Sequence, residues 1–253
     1  MKIITCCKVV PNEEGITVMQ NRELSTEKAP LAISQYDLNA MESGKKLAAE
    51  TGGTMVALSV GSSSSLENTK IRKDILSRGA DELKLVIDDA HGFSDSLQTA
   101  KALAGALKNM EYDLVLCGAG SSDLYSQEVG IQTGTILDLP VVNNVTGITA
   151  VSDSTLHVER TLEEEVELLE VSLPAVLSVS SEINVPTVPS MRDIMKAGKK
   201  PVSVMDMKEE AAPSTRIIEQ LAPKQQERRQ QVVEGDGEEA VDALVSFLRK
   251  EGF

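Results

Sequence analysis

Four short runs of apolar residues, at 3–9, 54–60, 82–87 and 113–117, are rich in Val, Ile and Leu and bounded by polar or glycine-containing stretches. Continuous apolar runs of this length predict strands buried on both faces, as in a parallel sheet. Amphipathic segments lie between them at about 36–51, 65–78 and 94–108. Strand and helix therefore alternate, and each return to the sheet needs a right-handed crossover. The first 140 residues predict a doubly wound α/β unit. Ser34 with Asp37 three residues on matches a capping box, and Gly79 after Ser77-Arg78 fits the glycine that follows a helix end. The four serines 62–65 fall between a strand ending Val60-Gly61 and a helix beginning near Leu66, and read as a strand-to-helix loop.

The period changes from about 145 to 171, where apolar and polar residues alternate, predicting antiparallel strands with one wet face added to the sheet. Residues 174–180 return to a buried-strand composition. The stretch from Asn184 to Pro201 carries three prolines and a short helical segment near 190–197, and reads as an exposed excursion. Beyond it the chain is charged and proline-punctuated. It ends in a helix at 237–249 whose apolar positions Ala240, Val241, Leu244, Val245 and Leu248 repeat at helical spacing. The expected organisation is an α/β domain over 1–205 and an extended arm over 206–253, its helix docking on its own domain or on a partner.

With 253 residues, 41% of them hydrophobic, the chain can bury one substantial core. No run of 18 apolar residues predicts a membrane span, and MKIITCCKVV reads as a first strand rather than a signal peptide, which suggests a cytoplasmic protein. A net charge of −14 repels nucleic-acid backbones and anionic membranes. The three cysteines suit neither a disulfide framework nor a metal site. Cys6 and Cys7, being adjacent, point to opposite faces of a strand and read as reduced packing residues. The scarce aromatics leave Tyr36 or Tyr125 as the ring nearest any ligand.

Ligands of open parallel sheets bind outside the carboxyl ends of the strands, so the loops after Val9, Val60 and Cys117 are the ones to inspect. The last reads Gly118-Ala119-Gly120-Ser121-Ser122-Asp123 and leads through Tyr125 and Gln127-Glu128-Val129-Gly130 into a helix. Its small residues let backbone N–H groups approach an anion at a helix N-terminus. Gly118-Ala119-Gly120 is not a dinucleotide fingerprint, because position 123 is Asp and the loop follows the fourth strand. Gly61 and the serines form a second hydroxyl-rich loop, and the two could bracket one phosphate-containing ligand. Catalytic constellations are missing. His91 and His157 stand apart from any ligand set, Glu163 to Glu165 form a solvated charge run, and an acyl-transfer enzyme or metal hydrolase is disfavoured.

The stretches KIITCCKVVP, ISQYDLNAMESGKKLA, SRGADELKLV and DLVLCGAGSSDLYSQEVG, with the run from Pro189 to Pro201, resemble the β subunit of electron transfer flavoproteins, with the nearest likeness to the Fix-type branch. The resemblance covers nearly the whole chain. It implies a fold of the adenine nucleotide α-hydrolase-like kind and an electron carrier subunit, not itself an enzyme. It implies a heterodimer with an α subunit that holds the main FAD, and AMP or a second FAD in this chain. By the same resemblance the nucleotide would contact Cys6, Ser34, Asp37, Val60 and the loop through Gly118, Gly120, Ser121, Asp123, Gln127, Glu128 and Val129, with Tyr36 near the partner's flavin. Met191, with Ile194, Met195 and Lys196, would form a recognition loop for dehydrogenases. Electrons would pass from there to a quinone-reducing flavoprotein or a ferredoxin-like partner. The chain departs from the family pattern at Ser34-Gln35 and at Gln127-Glu128-Val129, where a glutamate facing a monophosphate is unfavourable, so FAD or an altered pose stays open. The other reading is a stand-alone adenine-nucleotide-binding regulatory protein on the same fold.

Overall fold

The computed structural model describes residues 1–89, 95–205, 215, 217–224 and 232–252. In chain order the elements are β1 (Lys2–Cys6), β2 (Val9–Pro11), β3 (Thr17–Val18), β4 (Leu24–Ser25), β5 (Leu31–Ile33), α1 (Gln35–Thr51), β6 (Thr54–Gly61), α2 (Ser63–Leu66) and α3 (Thr69–Ser77). There follow β7 (Glu82–Ile87), α4 (Ser96–Leu107), β8 (Leu114–Gly118), α5 (Val129–Ile136), β9 (Val141–Ser152), β10 (Thr155–Thr161), β11 (Val166–Ser172), β12 (Ala175–Val179), α6 (Met191–Ala197), β13 (Val202–Met205) and α7 (Glu238–Glu251).

Nine strands form one sheet in the order β11-β10-β9-β12-β8-β1-β6-β7-β13. From β9 to β13 every pairing is parallel, while β9, β10 and β11 form the antiparallel meander that the alternating pattern predicts. The chain winds outward from β1 through β6 to β7, then returns to β8 on the other side of β1. The strand order therefore reverses between β1 and β8, and a crevice opens there at their carboxyl ends.

Side-chain alternation divides the core. Ile3, Leu114 and Leu116 pack beneath α1, whereas Ile4, Cys6, Val115 and Cys117 meet Ala102, Leu103 and Leu107 of α4 on the opposite face. A third cluster joins Met41 of α1 to Ile71 and Ile75 of α3 and also holds Cys7. Cys6 and Cys7 thus do lie on opposite faces, and both are buried and free.

Two local expectations need correction. The predicted helix over 65–78 is two helices, because the Asn68 side chain accepts the N–H groups of Lys70 and Ile71 and starts a new helix. Its first part takes in three of the serines assigned to a loop. Nor do Ser34 and Asp37 form a capping box: α1 has no side-chain cap, and both side chains bond elsewhere.

The stretch after β12 does run outside the core. Asn184 donates to the Asn39 carbonyl and the Ser43 hydroxyl, Thr187 donates to the Glu42 carboxylate, and these contacts fasten residues 184–187 along α1. Ser190 and Asp193 form the capping box that starts α6. Lys200 is a structural cap: its ammonium donates to the carbonyls of Leu76 and Ala80 at the end of α3, at 2.9 and 2.6 Å. Of the arm, residues 221 and 222 bond to the β3–β4 hairpin at Arg22 and Glu23, and α7 is amphipathic with no buried residue. Among the described residues no helix is long and apolar enough to cross a membrane.

Candidate functional site

At the switch point a cleft with about 810 Å³ of atom-free space opens to solvent. Leu58, Val60, Cys6 and Cys117 form its apolar floor. Cys6 and Cys117 follow the paired residues Thr5 and Leu116 on adjacent strands. Their mutual hydrogen bond, then burial, pushes the Cys6 thiol well above its ordinary range, and burial does the same to Cys7. These thiols are protonated packing groups and not nucleophiles.

Asp37 ties the two central strands together at the cleft edge. One carboxylate oxygen accepts the Lys8 N–H at 2.7 Å and the other the Gly118 N–H at 3.1 Å. Burial pushes its pKa up to about 7, against the pull of those two N–H groups and of the Lys8 charge. At neutral pH the cleft therefore contains a carboxyl poised between its two forms.

The loop over residues 119–128 covers one side. The Ser34 hydroxyl accepts the Ser122 N–H, and the Ser122 hydroxyl accepts the Gln35 N–H. Tyr125 lies on Tyr36 with ring centroids 5.1 Å apart. Tyr125 and Gln127 both adopt positive φ, at 49° and 60°, so the loop is held in a conformation few non-glycine residues adopt. A Cβ on Gly120 would come within 2.4 Å of the Tyr125 ring, which accounts for the glycine there. Beyond the loop, Glu128 accepts from the Ser96 hydroxyl and from the Gln132 amide, so its carboxylate is occupied at the rim. Across the cleft Asp95 caps α4 through the Gln98 N–H and also accepts from Thr215 of the arm.

Of the residues singled out in the sequence, Cys6, Asp37, Val60, Gly118, Gly120, Ser121, Gln127, Glu128 and Val129 line this cleft. Five do not. Ser34 is fully buried behind the loop, Tyr36 packs on its outer side, and Gly130 abuts the Ser178 hydroxyl. Asp123 is turned toward Lys8, and Gly61 lies against Ser65 and Leu66. The serine turn does not reach the cleft either, since Ser62 bonds to Ser64 and Ser65, and Asp89 accepts the Ser63 N–H. Lys8, Asp95, Ser96 and Thr99 line the cleft and were missed. The position of Lys8 just past the first strand was a usable signal, and so was Asp95 at the head of an apolar helix.

His157 is half-exposed, 3.9 Å from Glu170. Glu163 to Glu165 are exposed in a turn, and His91 lies outside the described residues. Among the described residues no cluster could hold a metal ion. On α6, Met191, Ile194, Met195 and Lys196 all face solvent, Met191 at 74% exposure and Met195 at 71%.

The cleft floor is apolar, the Gly118 and Ala119 N–H groups are taken by Asp37 and the Val179 carbonyl, and its sides offer the backbone at Gly120 and Ser121, the start of α5 and carboxylate acceptors. That set can receive an anionic group at the rim above an apolar body. A family model described as the electron transfer flavoprotein domain matches residues 23–210 of this chain.

Proposed function

We propose, from the premise that this chain belongs to the electron transfer flavoprotein domain family, that it is the β-type subunit of a heterodimeric electron carrier and holds an adenine nucleotide, AMP or FAD, in the switch-point cleft. The observation that carries the reading is the placement of the Gly120 and Ser121 backbone and the start of α5 around an apolar floor at the β1/β8 reversal. The adenine and ribose would use Val60, Leu58 and the carboxylate acceptors, and the phosphate would use the loop N–H groups. Redox chemistry is supplied by flavin when it is bound; the chain's own residues bind, orient and exclude water. The subunit acts as a carrier and not as an enzyme in its own right.

Two surfaces support a partner-dependent role. The Tyr36–Tyr125 pair presents an aromatic face beside the cleft, suited to packing near a flavin held by an α-type subunit. Met191 and Met195 offer flexible thioethers on a short helix anchored through Asn184 and Thr187, suited to an electron-donating dehydrogenase. Electrons would leave toward a quinone-linked or ferredoxin-like acceptor.

Co-expression with an α-type subunit, followed by purification and counting of released FAD and AMP, tests the reading. One FAD with one AMP, or two FAD, supports it. A chain that forms no complex and binds ATP as a homodimer points to the stand-alone nucleotide binder instead.

A further inference from the structure

Asp37, Asp95 and Glu128 all line the cleft, and among the described lining residues Lys8 is the one cation. A phosphate brought among three carboxylates without a positive partner would be repelled. Lys8 lies in the link between β1 and β2 and precedes the matched span of residues 23–210. Its ammonium donates to both oxygens of Asp123, at 2.7 and 2.6 Å, with side-chain exposures of 38% for Lys8 and 29% for Asp123. One ammonium on two anionic oxygens is the arrangement that a phosphate group also presents.

The two partners differ in how firmly they are held. Asp123 also accepts from the Ser121 hydroxyl and from the Leu124 N–H, so it keeps hydrogen bonds when the lysine departs. The lysine is a point charge on a flexible stem and can turn from one acceptor to another without backbone movement. The Lys8 backbone, meanwhile, is fixed by Asp37 and carries the side chain at the cleft wall.

We propose that Lys8 is the phosphate contact of this cleft and that Asp123, from beside the cleft, holds its ammonium until a nucleotide enters, when Lys8 exchanges the carboxylate for a phosphate oxygen. The proposal rests on the nucleotide-binding reading above. Asp123 then acts as an internal competitor, lowering apparent affinity by the fraction of time it holds the lysine.

The test is calorimetric titration of the full chain, freed of nucleotide, with AMP and separately with FAD, for the wild type and for K8Q, K8R and D123N. K8Q should bind about tenfold or more weakly, as expected for loss of a charged hydrogen bond, and K8R should retain most of the affinity. D123N should bind more tightly than the wild type. K8Q binding as well as the wild type, or D123N weakening binding as K8Q does, would make the pair a clamp on the loop; the proposal then falls while the nucleotide reading stands. If K8Q does not fold, the direction of the D123N change decides. A wild type that binds neither AMP nor FAD removes the nucleotide reading and the proposal with it.

Discussion

A Cβ placed on Gly118 would lie 2.7 Å from Asp37 Oδ1, the atom that accepts the Gly118 N–H. The glycine is thus required by a close approach, with the carboxylate and the Tyr36 backbone filling the space a side chain would take. Gly118→Ala must push α1 away from β8 or displace the carboxylate, and either breaks a bond at the cleft edge. The expected cost is about 1–3 kcal/mol, as for other overpacked sites. Thermal unfolding should show a midpoint several degrees lower, and nucleotide affinity should fall with it. An unchanged midpoint would mean that the loop yields without strain.

Asp37 also makes stability depend on pH. Its folded-state pKa of about 7 lies above the ordinary carboxyl value of 3.8, so between those limits the folded chain binds a proton that the unfolded chain has released. Stability from this group is therefore full below pH 4 and is lost as pH rises toward 7, by an amount bounded at about 4 kcal/mol. Asp37→Asn stays neutral throughout and removes this component. Asn offers one acceptor where two N–H groups need one each, so the variant should be less stable overall. Chemical denaturation at several pH values between 4 and 8 should give a wild-type minus variant difference that shrinks as pH rises. A constant difference would show that Asp37 is not raised.

The Asn184 side chain bridges the Asn39 carbonyl and the Ser43 hydroxyl at 3.1 and 2.8 Å, and Asn39 returns a bond of 2.8 Å to the Asn184 carbonyl. Asn184→Ala should cost about 1–3 kcal/mol, because it leaves partly buried acceptors unmatched. Its sharper signature is local. Residues 185–190 join this clasp to α6 with Thr187 bonded to Glu42 midway, and Val185 and Val188 are already more than four-fifths exposed. Limited proteolysis should cut the variant there faster than the wild type, while cleavage elsewhere stays level.

Much of the sheet was legible in the sequence, because strands buried on both faces must be apolar throughout and strands wet on one face must alternate. The sequence pointed to the carboxyl ends of the strands, and the cleft lies there with the loop after Cys117 on one side; the strand reversal that sites it is seen only in the folded sheet. What escaped was set by long-range bonding. The Ser34–Asp37 spacing matches a capping box, yet Asp37 serves two N–H groups, of Lys8 and Gly118, that only the folded sheet brings together. The lysine after the first strand was in plain view, but its partner Asp123 is 115 residues away. The serine run looked like a phosphate loop because of its composition, and its hydroxyls satisfy one another instead. Asn68 had the chemistry of a helix cap, but the apolar period running through it hid the break.

The outer face of α7 yields the prediction that most directly probes assembly. Val241, Leu244, Val245 and Leu248 repeat at helical spacing and are 57%, 50%, 38% and 39% exposed, with acidic residues in the first turn and Arg249 and Lys250 in the last. A helix that buries nothing of its own chain among the described residues gains little from that stripe unless a partner covers it. Leu244→Asp should leave the unfolding of the isolated chain within about 0.5 kcal/mol of the wild type, as for ordinary surface changes. If α7 docks on the α-type subunit of the proposed heterodimer, the same change places a charge in an apolar contact, and association should weaken by about 2 kcal/mol or more, roughly thirtyfold. Sedimentation of the variant with an α-type subunit over a dilution series measures this directly. Equal dissociation constants for variant and wild type would show that α7 does not contact the partner.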